Sequence, residues 1–290
     1  MNQFLLSGVC TALVTPFLDG TVNYPMVQQL LRRQMDAGVK AVVVAGTTGE
    51  APTLSDDEKL ELFHVAKEFS GDRCCVIAGT GSNSTAHAIA LSQAAQETGI
   101  DALLVVTPYY NKATAEGLFA HYLSIANSVE IPIILYNVPS RTGVDIPVSV
   151  YERLSAVPNI IGVKEASPDI TKITKIRLAC GEHFGIWTGN DDMTVPSMAL
   201  GANGVISVVS NVLPEKAVAM TNACLSGDFA AAATLQLSLQ PLIELLFSAV
   251  NPIPVKTAMR LIGYDCGGCR LPLTNLSKDL RDQMAAFLCK

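Results

Sequence analysis

Lys164 closes the apolar run Ile160-Ile161-Gly162-Val163 and is followed at once by Glu165-Ala166-Ser167, a pattern that reads as a strand delivering one amine to the end of a sheet. An ammonium in water cannot attack a carbonyl carbon, whereas an amine stripped of hydration among Ile and Val is a nucleophile suited to Schiff-base formation. Taken alone, a lysine at a strand end is more often a solvated or ion-paired surface group, because charged side chains are seldom buried without a partner. The chemistry has to be judged from the company it keeps.

Other reactive side chains offer less. Cys266-Gly267-Gly268-Cys269 has the spacing of half a zinc site or a redox pair, but the sequence holds no second such pair and no histidine doublet. The four histidines, His64, His87, His121 and His183, are scattered. Cys74-Cys75 directly precedes an apolar strand and reads as packing.

The elements that must position Lys164 recur along the chain. Short apolar or β-branched runs lie at 9–14, 41–45, 75–78, 102–106, 131–136, 160–164, 185–188 and 205–209. Between them come segments of helical spacing, such as 26–35, then 60–69 after the start signal Ser55-Asp56-Asp57-Glu58, and 86–95 after Ser84-Thr85. Strands alternating with helices in this number predict an α/β protein, a (β/α)8 TIM barrel. An open doubly wound sheet competes, but no Gly-x-Gly-x-x-Gly follows the first run. The character changes near residue 224, with an Ala-rich stretch at 228–234, apolar helical spacing at 235–250, the Pro-broken Asn251-Pro252-Ile253-Pro254 and a helical 255–261. The expected division is a catalytic barrel at 1–224 and a C-terminal helical appendix at 225–290, which caps the barrel or builds a subunit contact.

In such a barrel the C-terminal strand ends face the active site. In order they are Thr15-Pro16-Phe17, Gly46-Thr47-Thr48-Gly49-Glu50, Gly79-Thr80-Gly81, Thr107-Pro108-Tyr109-Tyr110-Asn111, Tyr136-Asn137-Val138-Pro139, Lys164-Glu165, Gly189-Asn190-Asp191 and Ser207. The set is rich in hydroxyls and poor in metal ligands. The glycines around Thr47 and Thr48 permit a tight turn whose N–H groups and hydroxyls suit a small carboxylate, although an ordinary turn uses the same residue types. Tyr136 ends the strand before that of Lys164, which brings a phenol near the amine as a proton relay for carbinolamine formation and dehydration. The plainer alternative is a ring that fills the core and a hydroxyl that reaches the surface.

Composition limits the classes of function. With 290 residues, 49% of them apolar, the chain can bury one large core or two modest ones. The balance of 26 Asp plus Glu against 20 Lys plus Arg is mildly acidic, and no basic stripe is present, which argues against nucleic acid as a partner. The longest apolar stretches, such as 131–135 and 205–209, fall far short of the roughly 18 residues a membrane-spanning helix needs, so no membrane association is expected. The opening Met1-Asn2-Gln3-Phe4-Leu5-Leu6 has neither the basic start nor the long apolar middle of a signal peptide, so a cytoplasmic location with cysteines kept mostly as thiols is expected.

Five motifs together carry a resemblance: Gly46-Thr47-Thr48-Gly49-Glu50, Thr107-Pro108-Tyr109-Tyr110-Asn111, Tyr136 to Gly143 (YNVPSRTG), Gly162-Val163-Lys164-Glu165-Ala166 and Gly204-Val205-Ile206-Ser207-Val208. Nearly end to end, the chain resembles the dihydrodipicolinate synthase family of pyruvate-dependent aldolases. The tyrosine pair and Ser140-Arg141-Thr142-Gly143 separate it from relatives such as N-acetylneuraminate lyase and the 2-keto-3-deoxy-sugar acid aldolases, which share the single motifs. The resemblance implies condensation of pyruvate with L-aspartate 4-semialdehyde, with Lys164 forming the imine and no metal or organic cofactor. It implies that Thr47 and Thr48 hold the pyruvate carboxylate and that Tyr136, Thr47 and Tyr110 relay protons, Tyr110 arriving from a neighbouring subunit. It also implies that Arg141 clamps the carboxylate of the second substrate, that Gly189 and Ile206 place backbone carbonyls near the imine, and that the protein is a dimer at least, with a tetramer of two dimers expected.

Two departures stand out. Ala113 replaces a proline usual after Tyr-Tyr-Asn-Lys, which removes no reactive group. Where lysine-sensitive members place a histidine and a glutamate, this chain has Lys59 and His87, which implies weak or no inhibition by lysine. A keto-acid sensor without catalysis is the remaining class, and it would be expected to lack Lys164 or the tyrosines.

Overall fold

The computed structural model describes residues 6–288, so the expectation about the opening residues 1–5 lies outside it. In chain order the elements are β1 (Gly8–Ala12), the strands β2 (Phe17–Leu18) and β3 (Thr21–Val22), α1 (Tyr24–Asp36), β4 (Ala41–Val44), α2 (Asp56–Ser70), β5 (Cys75–Gly79), α3 (Thr85–Glu97) and β6 (Ala102–Val106). There follow α4 (Ala115–Ala126), β7 (Ile133–Asn137), α5 (Pro139–Thr142), α6 (Val148–Leu154), β8 (Ile160–Glu165), α7 (Thr171–Cys180), β9 (Gly185–Thr188), α8 (Thr194–Ala199) and β10 (Gly204–Ser207). The C-terminal part holds α9 (Pro214–Leu225), α10 (Phe229–Leu246), α11 (Ile253–Leu261) and α12 (Lys278–Leu288).

Eight parallel strands close on themselves, β1 pairing with β10 on one side and β4 on the other, which rules out the open sheet. The strands are nearly continuous apolar runs because both faces are covered, one by the helices and one by the barrel interior. The interior is a separate cluster that includes Cys10, Val43, Ile77, Leu104, Ile134, Tyr136, Trp187 and Ile206. Trp187, the single tryptophan, is 1% exposed and donates Nε1–H to the Leu6 carbonyl at 2.9 Å. Its ring occupies the space that a side chain at Gly162 would need, with Cζ3 2.7 Å from where a Cβ would stand.

Helix starts follow the local chemistry. Ser55 and Glu58 form a full capping box on α2, and Ser84, Thr114 and Asp228 each accept an N–H at the starts of α3, α4 and α10. Strand ends deviate from the apolar runs where side chains take over the hydrogen bonding. The first run stops at Ala12 because the Val14 N–H goes to Asn211 Oδ1, and the last stops at Ser207 because the Asp191 carboxylate accepts from the N–H groups of Val208 and Val209. The fifth begins at Ile133 rather than 131, just after Pro132, which has no N–H to give a ladder. The β2–β3 hairpin is absent from the apolar periodicity. Its Asp19-Gly20 turn, both residues at positive φ, is the signal that marks it.

The C-terminal helices adjoin the barrel. α10 buries Ala232, Leu239, Leu242, Ile243 and Leu246, and its buried Gln236 donates to the Asp191 carbonyl and accepts from the Val195 N–H. With 18 residues and mean hydropathy 1.3, α10 is the one described helix long and apolar enough to cross a membrane, against the expectation that no segment reaches that length. The apolar run escapes a search for unbroken stretches because Thr234, Ser238 and Glu244 interrupt it on the exposed face.

His121 of α4 is 5% exposed, its Nδ1 paired with the Thr85 hydroxyl at 2.9 Å and its Nε2 without a partner. Burial pushes its pKa down from 6.5 to about 4. The unfolded chain therefore binds a proton that the folded chain refuses, so the contribution is whole above pH 6.5 and is lost as pH falls toward 4. In urea titrations across that window, His121→Gln should flatten the acid-side fall of the unfolding midpoint.

Candidate active site

β7 and β8 pair with Tyr136 opposite Lys164, and β8 and β9 pair with Lys164 opposite Trp187. Register partners in a parallel sheet share a face, so phenol, amine and indole all emerge on one face of the sheet. Lys164 is 5% exposed and its Nζ lies 4.4 Å from the centroid of the Tyr136 ring. Four described lysines are buried: Lys59, Lys164, Lys172 and Lys256. Lys59 pairs with Asp56, Lys172 with Asp145 and Glu165, and Lys256 with Glu50, whereas the Lys164 amine faces an aromatic ring. A contacting carboxylate stabilises an ammonium strongly, while a ring face holds it weakly.

The neighbours of Lys164 are shaped to it. A side chain at Gly189 would put a Cβ 2.9 Å from Lys164 Cε and 2.6 Å from Ala166 Cβ, so only glycine fits beside the lysine chain. Ile206 lies in the interior cluster with Tyr136 and Ala166, on the strand that pairs with Cys10. Asp191 is fully buried near the end of β9, and burial raises its pKa, opposed by hydrogen bonds from Ser207 and the Val209 and Val208 N–H groups and by the charge of Lys164. Directly after Lys164, Glu165 is locked by Asn137, Tyr151 and the Ser167 N–H, which fixes the strand end that presents the amine.

The Gly46-to-Glu50 loop follows β4. Thr15 Oγ1 donates to the Gly49 carbonyl at 2.7 Å, and Ala45 and Glu50 both take positive φ. Such non-glycine conformations cost of order 1–3 kcal/mol each and persist where surrounding contacts impose them. Here Glu50 is held by Lys256 Nζ at 2.8 Å and by the Arg270 N–H at 2.9 Å. Thr48 is buried and accepts from Asn251 Nδ2 at 3.0 Å, and Thr47 beside it is partly exposed. Arg141, in α5, is exposed and donates Nη2 to the Asn251 carbonyl at 3.1 Å.

Tyr136, Gly189 and Ile206 thus gather at or near Lys164. Tyr110 does not: it is 89% exposed, with its backbone at φ 74. Asn251 and Lys256 were not singled out from the sequence, where Asn251-Pro252-Ile253-Pro254 reads only as a helix break. The Cys266 and Cys269 thiols are pushed up to about 12 and about 11 by burial, which disfavours the thiolate that metal binding or redox exchange needs. Among the described residues no three His, Cys, Asp or Glu side chains converge as a metal site.

The model of the Dihydrodipicolinate synthetase family matches residues 5–290. The chain belongs to that family. A curated 4-hydroxy-tetrahydrodipicolinate synthase from a Thermoanaerobacter species is 47% identical over 291 residues, covering 100% of this chain and 97% of its own. The crystal structure of dihydrodipicolinate synthase from Aquifex aeolicus superposes with a TM-score of 0.96 at 42% identity, covering 98% of this chain and 97% of its own. The chloride-inhibited dihydrodipicolinate synthase from Acinetobacter baumannii, complexed with pyruvate, superposes with a TM-score of 0.95 at 40% identity, and 98% of each chain is covered. The barrel with its C-terminal helices is thus the architecture of this dihydrodipicolinate synthase family member and of its solved relatives.

The Lys256–Glu50 pair, 2% and 0% exposed, ties the C-terminal region to the loop carrying Thr47 and Thr48. Removing one member of a buried pair leaves an unmatched charge and costs about 3–5 kcal/mol. Glu50→Ala is expected to lower unfolding free energy by about that amount in denaturant titration.

Proposed function

We propose that this family member condenses pyruvate with L-aspartate 4-semialdehyde to give 4-hydroxy-tetrahydrodipicolinate, a step of the diaminopimelate and lysine route, as a lyase of the Schiff-base class. The observation that carries the reading is the Lys164 amine, buried without a carboxylate partner and facing the Tyr136 ring. The Lys164 amine adds to C2 of pyruvate, and loss of water gives the imine. The imine is an electron sink, so loss of a methyl proton yields an enamine whose carbon bonds to the aldehyde carbon. The amino group of the second substrate then attacks the imine carbon, closes the ring and frees Lys164, with one water released overall.

In this reading Thr47 and Thr48 hold the pyruvate carboxylate, and Arg141 takes the carboxylate of the semialdehyde as a fork. Gly189 and Ile206 contribute backbone carbonyls beside the imine. Tyr136, Thr47 and Tyr110 pass protons, with Tyr110 supplied by a second copy of the chain. Its 89% exposure supports a residue that finds its place only in an assembly, a dimer at least and a tetramer of two dimers in full. The same reading makes 1–224 the catalytic barrel, 225–290 its helical appendix, and the cytoplasm the site of action.

Lys164→Ala should keep the fold and lose several orders of magnitude of turnover, and borohydride should trap pyruvate on the wild-type chain only. Tyr110→Phe should slow turnover by about 10²-fold while leaving that trapping intact. Near wild-type rates in Lys164→Ala would sink the assignment.

Feedback inhibition by lysine is weak or absent in the same proposal. Asp56 accepts from Lys59 Nζ at 3.0 Å and lies 2.7 Å from His87 Nε2, so an added diammonium ligand meets an occupied carboxylate and a competing lysine. Initial rates should be unchanged at sub-millimolar L-lysine; strong inhibition there would refute the idea.

A further inference from the structure

The residue on which the two carboxylate-recognising groups converge belongs to neither barrel loop. Asn251 is 7% exposed and lies just before α11, between the long C-terminal helix and Pro252. Its side-chain Nδ2 donates to Thr48 Oγ1, 203 residues away, and its backbone carbonyl accepts from Arg141 Nη2. Lys256, in α11, clamps Glu50 at the end of the same loop as Thr48.

We propose that Asn251 is a positioning residue that aims the Thr48 hydroxyl at the pyruvate carboxylate, making the C-terminal segment part of the substrate site. The proposal rests on the reading of Thr48 as a carboxylate-holding group. A hydroxyl has one proton and two acceptor sites. The Asn251 amide fills an acceptor site of Thr48 Oγ1, so the hydroxyl proton is left to point elsewhere, toward a substrate oxygen. The interaction with Arg141 uses the backbone carbonyl and survives substitution of the side chain. Side-chain changes at Asn251 therefore act on pyruvate and spare the semialdehyde.

The test is steady-state kinetics with both substrates varied on the full-length protein, beside borohydride trapping of the pyruvate imine as a function of pyruvate concentration. Asn251→Ala should raise the pyruvate KM and the half-saturation of trapping by about fivefold, the worth of one hydrogen bond, with the semialdehyde KM changed less than about twofold. Asn251→Asp should be worse than Asn251→Ala, because a carboxylate accepts the Thr48 proton and turns it from the substrate. Thr48→Val should raise the same KM, and Asn251→Ala should add nothing in the Thr48→Val background. If Thr48→Val raises the pyruvate KM and Asn251→Ala leaves it unchanged, Asn251 has no positioning role. If neither variant moves it, the carboxylate reading of Thr48 falls and this proposal with it. A variant that fails to fold shows as a lost thermal transition, and Asn251→Ser is then measured in its place against the same two outcomes.

Discussion

A buried amine that meets a ring face where the other buried lysines meet a carboxylate is the constraint around which this barrel is arranged. Burying a charged group unpaired is costly, and the chain avoids that cost for Lys59, Lys172 and Lys256 by giving each a carboxylate. Lys164 instead stands on a ring face, with the carboxylate of Asp191 engaged by the N–H groups of Val208 and Val209. The same geometry explains why Gly189 has no side chain, since any Cβ there would collide with the lysine chain.

Rigidity around that amine comes from two buried polar systems on either side. Next in sequence, Glu165 accepts from Asn137, Tyr151 and the Ser167 N–H, and Lys172 completes the set. Across the mouth, Glu50 takes Lys256 and the Arg270 N–H, while the Arg270 guanidinium reaches Glu58, the Thr53 carbonyl and the Gly20 carbonyl. Satisfied networks of this kind rigidify what they touch, because every partial opening leaves a buried group unpaired. The strained Glu50 backbone lies inside the second network, which is where strain can be sustained.

The C-terminal helices consequently do more than shield the barrel. α10 reaches the β9 end through Gln236, Asn251 just before α11 and Lys256 within it reach the Thr48 loop, and the Cys266 backbone carbonyl accepts the Phe17 N–H. The segment around Cys266 and Cys269 is spent on this attachment, its glycine at 267 lying against the Phe17 carbonyl.

Much of the architecture was legible in the sequence because strands buried on both faces must be continuously apolar, and the capping signals at Ser55 and Ser84 are local chemistry. Lys164, Tyr136 and the two-threonine loop were legible for the same reason: each sits where an apolar run ends. Strand ends at Ala12 and Ser207 were not, because Asn211 and Asp191, each remote in sequence, supply the hydrogen bonds that stop the ladders. Nor was Asn251, whose residue type suits any turn and whose meaning lies in a contact with Thr48 across 203 positions. The sequence by itself determined the apolar strands and which polar residues stand at their ends. Only the tertiary structure decided that Lys164 alone among the buried, described lysines lacks a carboxylate, and which distant groups hold its neighbours in place, since pairing across a closed barrel depends on distance in space and leaves no local pattern.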